Sequence, residues 1–461
     1  MSGAACWTPP SFQGLIGVAT ADITPPADIH LRNWGAAPHR QATGIHQRLL
    51  AVVLTIRNPV DGAPLLLAGL DLGWWMDPED EAALRESVAA KLGLTDDQLV
   101  LALTHTHAGP SLRRADRDQD GGAKLPEYLD EVAARIVAAE REALAAEELS
   151  TLDWEYGRCT LAAHRDLPDP AGNRVVSGFN PDVAVDDTLL VGRVCSSGAT
   201  RAVIVNYACH PTTLAWQNSL VSPDFVGPMR DLVRAETGAA CLFLQGASGE
   251  LAPRLQYTDD LDVVRHNGRQ LGFAVLSTLE GMLPSGTTLA FERVVDSGAP
   301  LAVWRTRPAE LDTTVAARRR ILQLPRRTED PPGGAGRTDD PRAAAMRAER
   351  AARIARAAGT GAAVAFPVNS WRIGGALLVA HPGEAYSMLQ TALRKAFPDH
   401  AVAVVNLAGG VHLGYLPPSE VYDTDTYQVW QTPLGRGSLE RLTAESLDVL
   451  RMLVREGRDA L

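Results

Sequence analysis

The sequence predicts a mixed α/β fold, in which a β-sheet core is flanked by helices. Short apolar runs rich in Val, Leu and Ile alternate along the chain with longer segments of helical periodicity, as in layered α/β folds. Of the 461 residues, 46% are hydrophobic and 21% are charged, which is typical of a globular protein. Several apolar runs end in polar residues beside Gly or Pro, so we expect functional side chains at the strand ends.

The apolar runs are too short for buried helices and have the Val, Ile and Leu content of strands. We predict strands over 49–56, 64–72, 98–105, 201–210, 239–245, 375–381 and 401–409. We predict helices over about 78–92, 126–146, 224–236, 259–281, 384–397 and 437–456. The sequence contains no internal repeat and no glycine-rich phosphate-binding motif.

Residues 305–360 differ in composition from the rest of the chain. They are dense in Arg, Ala and acidic residues, with a Pro-Gly break at PPGGAG (331–336). This composition predicts two solvent-exposed helices joined by a mobile loop around 329–340. Interleaved acidic residues and the lack of aromatics favour this interpretation over RNA binding. We therefore predict a single domain over 1–461 that carries an Arg-rich helical insertion or lid at 305–360.

Charge and cysteine usage argue against several classes of protein. The net charge of −11 disfavours a nucleic acid or an anionic membrane as partner. The five cysteines are scattered without C-x-x-C spacing and indicate neither a disulfide framework nor a thiolate metal site. The N-terminus lacks the pattern of a signal peptide, and no apolar stretch reaches the about 20 residues of a membrane span. We expect a cytoplasmic protein without stable membrane insertion; a homo-oligomer is compatible with the sequence.

Candidate metal ligands stand at the predicted strand exits. In LALTHTHAGP (101–110), an extended chain would project His105 and His107 to the same side, about 7 Å apart. His210 closes the run RAVIVNYACH, and Glu384 lies in HPGEAYSML at the start of a predicted helix. These residue types supply the nitrogen and oxygen ligands of a catalytic zinc site that keeps a position open for water. The pattern predicts a mononuclear metal site and leaves the reaction open.

Other metal-binding families fit this pattern less well. Cupins carry a Glu three or four residues after H-x-H, where this chain has Pro110 and Ser111. Non-haem iron oxygenases usually have H-x-D/E in place of H-x-H, and the H-E-x-x-H motif of metalloproteases is absent.

The sequence resembles the neutral, non-lysosomal ceramidase family in stretches spread over most of the chain. They are GVATADITPP (17–26), GIHQRLLAVVL (44–54), THTHAGP (104–110), NYACHPTTL (206–214), FLQGASGELAPR (243–254), HPGEAYSMLQTALR (381–394) and GYLPPSEVYDTDTY (414–427). That family consists of zinc-dependent amidases that cleave the amide of N-acyl sphingoid bases. The resemblance implies one zinc ion (Zn²⁺) per chain and amide hydrolysis.

The resemblance also implies roles for individual residues. The implied zinc ligands are His105, His210, Glu384 and Tyr415. His107 then faces the substrate side of the metal, where it accepts a proton from a zinc-activated water. The groups implied to hold the amide carbonyl and stabilise the oxyanion are Arg165 and Tyr427.

Two features depart from the family pattern. The serine proposed as the nucleophile of ceramidases corresponds to Ala252, and Ser248 lacks a G-x-S-x-G elbow and is interpreted as a loop hydroxyl. The nucleophile is therefore expected to be water. After the GYLPP block the chain has one long helical stretch (439–457), so we expect the C-terminal β-rich domain of ceramidases to be absent.

The sequence as a whole predicts zinc-dependent hydrolysis of a linear amide. The expected substrate is a small-molecule or lipid N-acyl amine, either ceramide-like or smaller and soluble. Two alternatives remain open at this point. One is an acyltransferase that forms an amide at the same site, and the other is a non-catalytic protein that binds a metal or a lipid amide.

Overall fold

Two β-sheets packed face to face, with helices on both outer sides, make up the architecture. It is seen in a computed structural model that describes residues 5–31, 34–60, 62–169, 174–332, 338 and 340–459. The predicted α/β class, with a mixed sheet flanked by helices, is confirmed.

The elements follow each other in an irregular alternation of strands and helices. The strands are β1 (Cys6–Trp7), β2 (Ser11–Asp22), β3 (Gly44–Ile45), β4 (Leu50–Arg57), β5 (Leu65–Leu70), β6 (Leu99–Leu103), β7 (Glu148–Arg158), β8 (Ala162–His164), β9 (Asp166–Asp169), β10 (Arg174–Ser177), β11 (Thr188–Ser196), β12 (Ala199–Tyr207), β13 (Leu220–Val221), β14 (Ala240–Gln245), β15 (Leu251–Pro253), β16 (Thr287–Asp296), β17 (Pro300–Pro308), β18 (Val315–Pro325), β19 (Ala363–Ile373), β20 (Ala376–Ala380), β21 (Glu384–Ala385), β22 (Ala401–Val405) and β23 (Tyr415–Leu416). The helices are α1 (Pro78–Leu92), α2 (Leu125–Ala145), α3 (Val226–Thr237), α4 (Leu261–Gly281), α5 (Pro341–Ala358), α6 (Met388–Ala396), α7 (Tyr427–Trp430) and α8 (Ser438–Asp459), with short 3₁₀ turns at Arg114–Asp118, Gly122–Lys124 and Ser419–Asp423.

The larger sheet has eight strands in the order β14-β12-β11-β7-β2-β4-β5-β6. The β12–β14 and β5–β6 pairs are parallel, and the other neighbours are antiparallel. Alternate residues of β4 pack into two different hydrophobic cores. Ala51 and Val53 pack in the cluster that includes α1 and α2, whereas Val52 and Leu54 pack toward the second sheet. Burial on both faces explains why these strands appear as unbroken apolar runs.

The smaller sheet has the order β18-β19-β20-β22. Trp371 of β19 is fully buried between the two sheets, and its indole Nε1 donates a hydrogen bond to the Asp97 carbonyl at 2.6 Å. The opposite face of this sheet, including Leu377 and Val379, packs against α6 and α8. Helices α3 and α4 cover β11, β12 and β14 of the larger sheet. The result is a helix–sheet–sheet–helix arrangement.

The segment after β22 joins the two ends of the larger sheet. The Leu103 amide of β6 donates to the Leu407 carbonyl at 3.2 Å, and the Asn406 amide donates to the Gln245 carbonyl of β14 at 2.9 Å. Gly69 of β5 also lets β14 approach closely, because a Cβ at that position would lie 2.9 Å from the Phe243 carbonyl oxygen of β14. The carboxyl ends of β6, β12, β14, β20 and β22 therefore meet on one side of the molecule.

The Arg-rich segment 305–360 differs from its prediction. Only its second half is helical, as α5, whereas the first half contributes to β17 and forms β18. The prediction of two exposed helices was wrong for the first half because β18 pairs along its whole length with β19, and its alternating Leu322 and Leu324 are buried. The loop predicted around 329–340 falls partly outside the described residues, at 333–337 and 339.

Several strands were missed because their sequences mix polar residues and glycine with apolar ones. They are β2, β7, β11 and β19, and they form much of the two sheets. In the described part of the chain, none of the helices has both the length and the apolar content needed to span a bilayer.

Candidate metal centre and active site

His105 lies two residues beyond β6, in a turn. Its φ angle is +71°, a left-handed conformation that few residues other than glycine adopt and that occurs preferentially at functional sites. The expectation that His105 and His107 lie on one extended strand was therefore wrong. The turn still brings the two rings together, with centroids 4.8 Å apart.

His210 follows β12 after a gap of two residues and is held by the backbone of Leu251. The His210 amide donates to the Leu251 carbonyl at 3.0 Å, and ring Nδ1 lies 3.0 Å from the same oxygen. A carbonyl can only accept, so Nδ1 carries the proton and Nε2 is left with its lone pair. That lone pair faces Glu384 Oε2 at 2.8 Å.

Glu384 lies in β21, which pairs in parallel with β23 so that Glu384 stands opposite Tyr415. The predicted helix start at 384 was wrong because this pairing keeps the chain extended, and α6 begins at Met388. Burial would raise the pKa of Glu384, but the adjacent imidazoles, first His105 and then His210, hold that pKa well below its usual value. The carboxylate is therefore ionised.

His105, His210 and Glu384 form a buried cluster whose ligating atoms all lie within 4.8 Å of one another. His105 Nε2 is 3.4 Å from Glu384 Oε2 and makes no hydrogen bond in the described part of the chain. Burial and Arg165 lower the pKa of His210 to about 4, so its ring is neutral at pH 7. A neutral imidazole lone pair and a carboxylate oxygen at 2.8 Å repel each other unless a cation lies beside them. The cluster fits a metal ion, and two imidazoles with one carboxylate are a ligand set used by zinc.

Tyr415 is buried beside this cluster, in register with Glu384. Burial and the Glu384 carboxylate raise the pKa of Tyr415, so the phenol keeps its proton unless a cation binds next to it. The structure thus brings Tyr415 to the three other residues named as ligands. Its role as a fourth ligand stays a prediction.

His107 faces a cavity beside the cluster. Both of its ring nitrogens are buried and lack a hydrogen-bond partner among the described residues. Its ring is packed between Trp34 and Trp74, with centroid distances of 5.0 and 4.8 Å. Burial, with a smaller contribution from His105 and His210, lowers the pKa of His107 well below its usual value, so the ring is neutral and can accept a proton.

Arg165 and Tyr427 lie on the other side of Tyr415. The Arg165 guanidinium is buried, donates from Nη2 to the Gly249 carbonyl at 2.6 Å, and has its Cζ 5.3 Å from the Tyr415 ring centroid and 5.9 Å from that of Tyr427. The Tyr427 hydroxyl accepts a hydrogen bond from Arg350 of α5. The structure therefore brings together all seven residues named from the sequence.

The cavity has a volume of about 360 Å³ and an aromatic side formed by Trp34, Trp216 and Tyr257. His107, Arg165 and Tyr427 also line it, and a smaller pocket at its inner end contacts His105 and Glu384. A cavity of this kind, mostly apolar with a few convergent polar groups, is typical of a small-molecule site.

Two solved structures resemble this protein over nearly its whole length. A ceramidase complexed with C2 aligns with a TM-score of 0.67 and 18% identity, covering 96% of this chain and 76% of the ceramidase. The neutral ceramidase from Pseudomonas aeruginosa aligns with a TM-score of 0.65 and 20% identity, covering 98% of this chain and 75% of the other. The chain has a ceramidase fold. No protein-family model and no curated protein matches the sequence.

The site also contains a residue, His412, that the sequence interpretation left unassigned. His412 Nε2 lies 2.7 Å from Glu384 Oε1, the carboxylate oxygen turned away from His210. The signal that could have identified His412 is its position three residues before Tyr415, in the same strand-exit segment.

Two other polar residues have structural contacts away from the cluster. Asp71, considered as a partner for a ligand imidazole, forms a buried ion pair with Arg230, with both guanidinium–carboxylate distances 2.7 Å. Ser248 is a buried loop hydroxyl that accepts a hydrogen bond from Gln245 Nε2 at 2.6 Å, and Ala252 lies in the short strand β15.

Proposed function

We propose that this protein hydrolyses a linear amide of the N-acyl amine class, with one zinc ion per chain. The ligands would be His105, His210, Glu384 and Tyr415. The observation that carries the proposal is the buried cluster of two imidazoles and a carboxylate at the inner end of an aromatic-lined cavity. The ceramidase fold supports amide chemistry at this position.

A zinc ion held there would act as a Lewis acid, making water more acidic and polarising a carbonyl group. The chain supplies the remaining groups. His107 is neutral and lies at the cavity surface, so it can accept the proton of the attacking water and return it to the leaving amine.

Arg165 and Tyr427 provide positive charge and a hydroxyl donor where the carbonyl oxygen becomes negative. Both groups are positioned by contacts that exist before substrate binds, the first by Gly249 and the second by Arg350. Donors fixed in advance in a water-poor site stabilise an oxyanion more effectively than water does. Water is the proposed nucleophile, because Ala252 has no nucleophilic atom and the Ser248 hydroxyl is held by Gln245.

The proposal is tested by measuring metal content and amide hydrolysis in the wild type, His105→Ala and His107→Ala. We expect one zinc ion per chain in the wild type and in His107→Ala, and loss of zinc in His105→Ala because a ligand is removed. His107→Ala should hydrolyse short- and long-chain N-acyl amines about 10²- to 10⁴-fold more slowly, which is the usual contribution of a general base.

The other outcomes separate the alternatives. A wild-type protein that binds no zinc contradicts the proposal. A wild-type protein that binds zinc but hydrolyses no amide favours the interpretation as a binding protein. Formation of an amide from an acyl donor and an amine favours an acyltransferase.

A further inference from the structure

Helix α5, in the Arg-rich segment, forms one wall of the cavity. Ala343, Met346, Arg347 and Arg350 all line it, at the spacing of residues that share one helix face. Arg353, one turn further, lines the inner pocket with His105 and Glu384. The arginines of this helix thus face the site as well as solvent.

The cavity is strongly positive although the protein as a whole is acidic. Arg165, Arg347 and Arg350 line it, and no Asp or Glu is among its described lining residues. The inner pocket adds Arg353 and a single carboxylate, Glu384, which already interacts with three histidines. The whole chain carries a net charge of −11, so this concentration of cations is local.

The charges of Arg350 and Arg353 are only partly compensated by described residues, because Glu349 acts on both of them from beyond ion-pair distance. Neither side chain has a carboxylate within ion-pair distance in the described part of the chain, and the hydrogen bond of Arg350 goes to the uncharged Tyr427 hydroxyl. Burial and then the charge on Arg350 lower the pKa of Arg353 to about 9. Positive charges held close together out of water repel each other, and this is unfavourable unless an anion binds beside them.

We infer that the cavity binds an amide whose amine part carries a carboxylate, that is, an N-acylated amino acid, and that Arg350 holds this carboxylate. The inference rests on the proposed amide hydrolysis and specifies its substrate class. Arg350 borders both the cavity and the inner pocket, so it lies beside the position that groups next to the scissile amide would occupy. The planar guanidinium matches a carboxylate in two parallel hydrogen bonds.

The rest of the cavity suits the acyl part of such a molecule. Trp34, Trp216 and Tyr257 form its aromatic side, and Met346 of α5 adds apolar surface. An acyl chain on this surface and a carboxylate at Arg350 would place the amide between them, near His107.

The test compares two amides with the same acyl chain, N-octanoylglycine and N-octanoylethanolamine, which differ in a carboxylate or a hydroxyl on the amine part. The wild type should favour the carboxylate by about tenfold to a hundredfold in kcat/KM, the usual effect of a hydrogen bond between charged groups. Arg350→Gln should abolish this preference. Because Arg350 also contacts Tyr427, both rates should fall, and the ratio of the two kcat/KM values isolates the carboxylate contact.

Arg356→Gln is the matched control, since it removes the same charge from the exposed side of α5, where Arg356 is 4.0 Å from Asp77. It should keep the wild-type preference. A wild type that treats both amides alike or favours the neutral one, or an Arg350→Gln variant that keeps the preference, overturns the inference and leaves the proposed hydrolysis standing.

If the wild type hydrolyses neither these two amides nor any other N-acyl amine, the proposed function fails, and the inference is decided by calorimetric binding of the same two amides. Tighter binding of N-octanoylglycine that is lost in Arg350→Gln supports the cationic subsite. Equal binding of both amides overturns it.

Discussion

Glu384 uses its two carboxylate oxygens for different neighbours. Oε2 faces His210 and His105, whereas Oε1 lies 2.7 Å from Nε2 of His412. His412 is buried, and burial lowers its pKa, so its neutral ring serves to orient the carboxylate by donating a hydrogen bond. It is therefore a positioning residue for the candidate metal centre.

Replacing His412 by Ala should weaken zinc binding about tenfold to a hundredfold, the usual cost of losing a group that orients a metal ligand. The affinity can be measured by competition with a chelator. His266→Ala, on the exposed surface of α4, is the control and should bind zinc as the wild type does. An unchanged affinity in His412→Ala would show that Glu384 needs no such support.

At the level of elements, the site depends on the short parallel pair of β21 and β23. This pair aligns Glu384 with Tyr415, and the chain enters β23 through Gly414 at φ +75°. A Cβ at Gly414 would lie 2.1 Å from the Gln431 carbonyl oxygen, so a side chain there must displace backbone. The residue next to Gly414 is Tyr415, and such a displacement would move it.

Gly414→Ala should therefore lower both the free energy of unfolding and the zinc affinity. The left-handed conformation alone costs an alanine about 1–2 kcal/mol, and the clash adds to it. Gly437→Ala is the matched control, because Gly437 has φ +88° but no atom near its Cβ position. It should show the conformational cost without loss of zinc affinity, as measured by denaturant unfolding and metal titration. Equal effects of the two substitutions would contradict this explanation.

At the level of the whole molecule, stability should depend on pH through buried Glu250. This carboxyl accepts hydrogen bonds from the Ser387 amide at 3.0 and 3.1 Å, linking the loop after β14 to the start of α6. Burial raises the pKa of Glu250 from 4.5 to about 7. Between these pH values the folded protein binds more protons than the unfolded chain, so this group's stabilising contribution is complete below about 4.5 and is lost as the pH rises through 7.

Glu250→Gln should remove this contribution to the pH dependence. The difference between the free energies of unfolding at pH 5 and pH 8 should change by on the order of 3 kcal/mol, and the variant should be more stable relative to the wild type at the higher pH. Glu236→Gln, on the exposed surface of α3, is the control. Chemical denaturation across this pH range measures the effect. Parallel profiles for wild type and Glu250→Gln would contradict it.

The sequence by itself determined the elements whose signals are local. The apolar runs of β4, β5, β6 and β14 predicted strands because both faces of each strand are buried. Helix α1 was predicted almost to the residue because Asp77 caps its start and Gly93 ends it in a left-handed conformation. The THTHAGP and CHPTT blocks also indicated the ceramidase fold, which this chain shares with two solved structures that are only 18% and 20% identical to it.

Only the tertiary structure decided how distant residues meet. His105, His210 and Glu384 come from separate strand exits, and they converge because the segment after β22 draws the two ends of the large sheet together. The contact of His412 with Glu384 and the position of Arg350 in the cavity depend on the same packing. Local sequence determines which secondary structure each segment prefers. These contacts depend instead on the closure of the large sheet, which results from many long-range interactions.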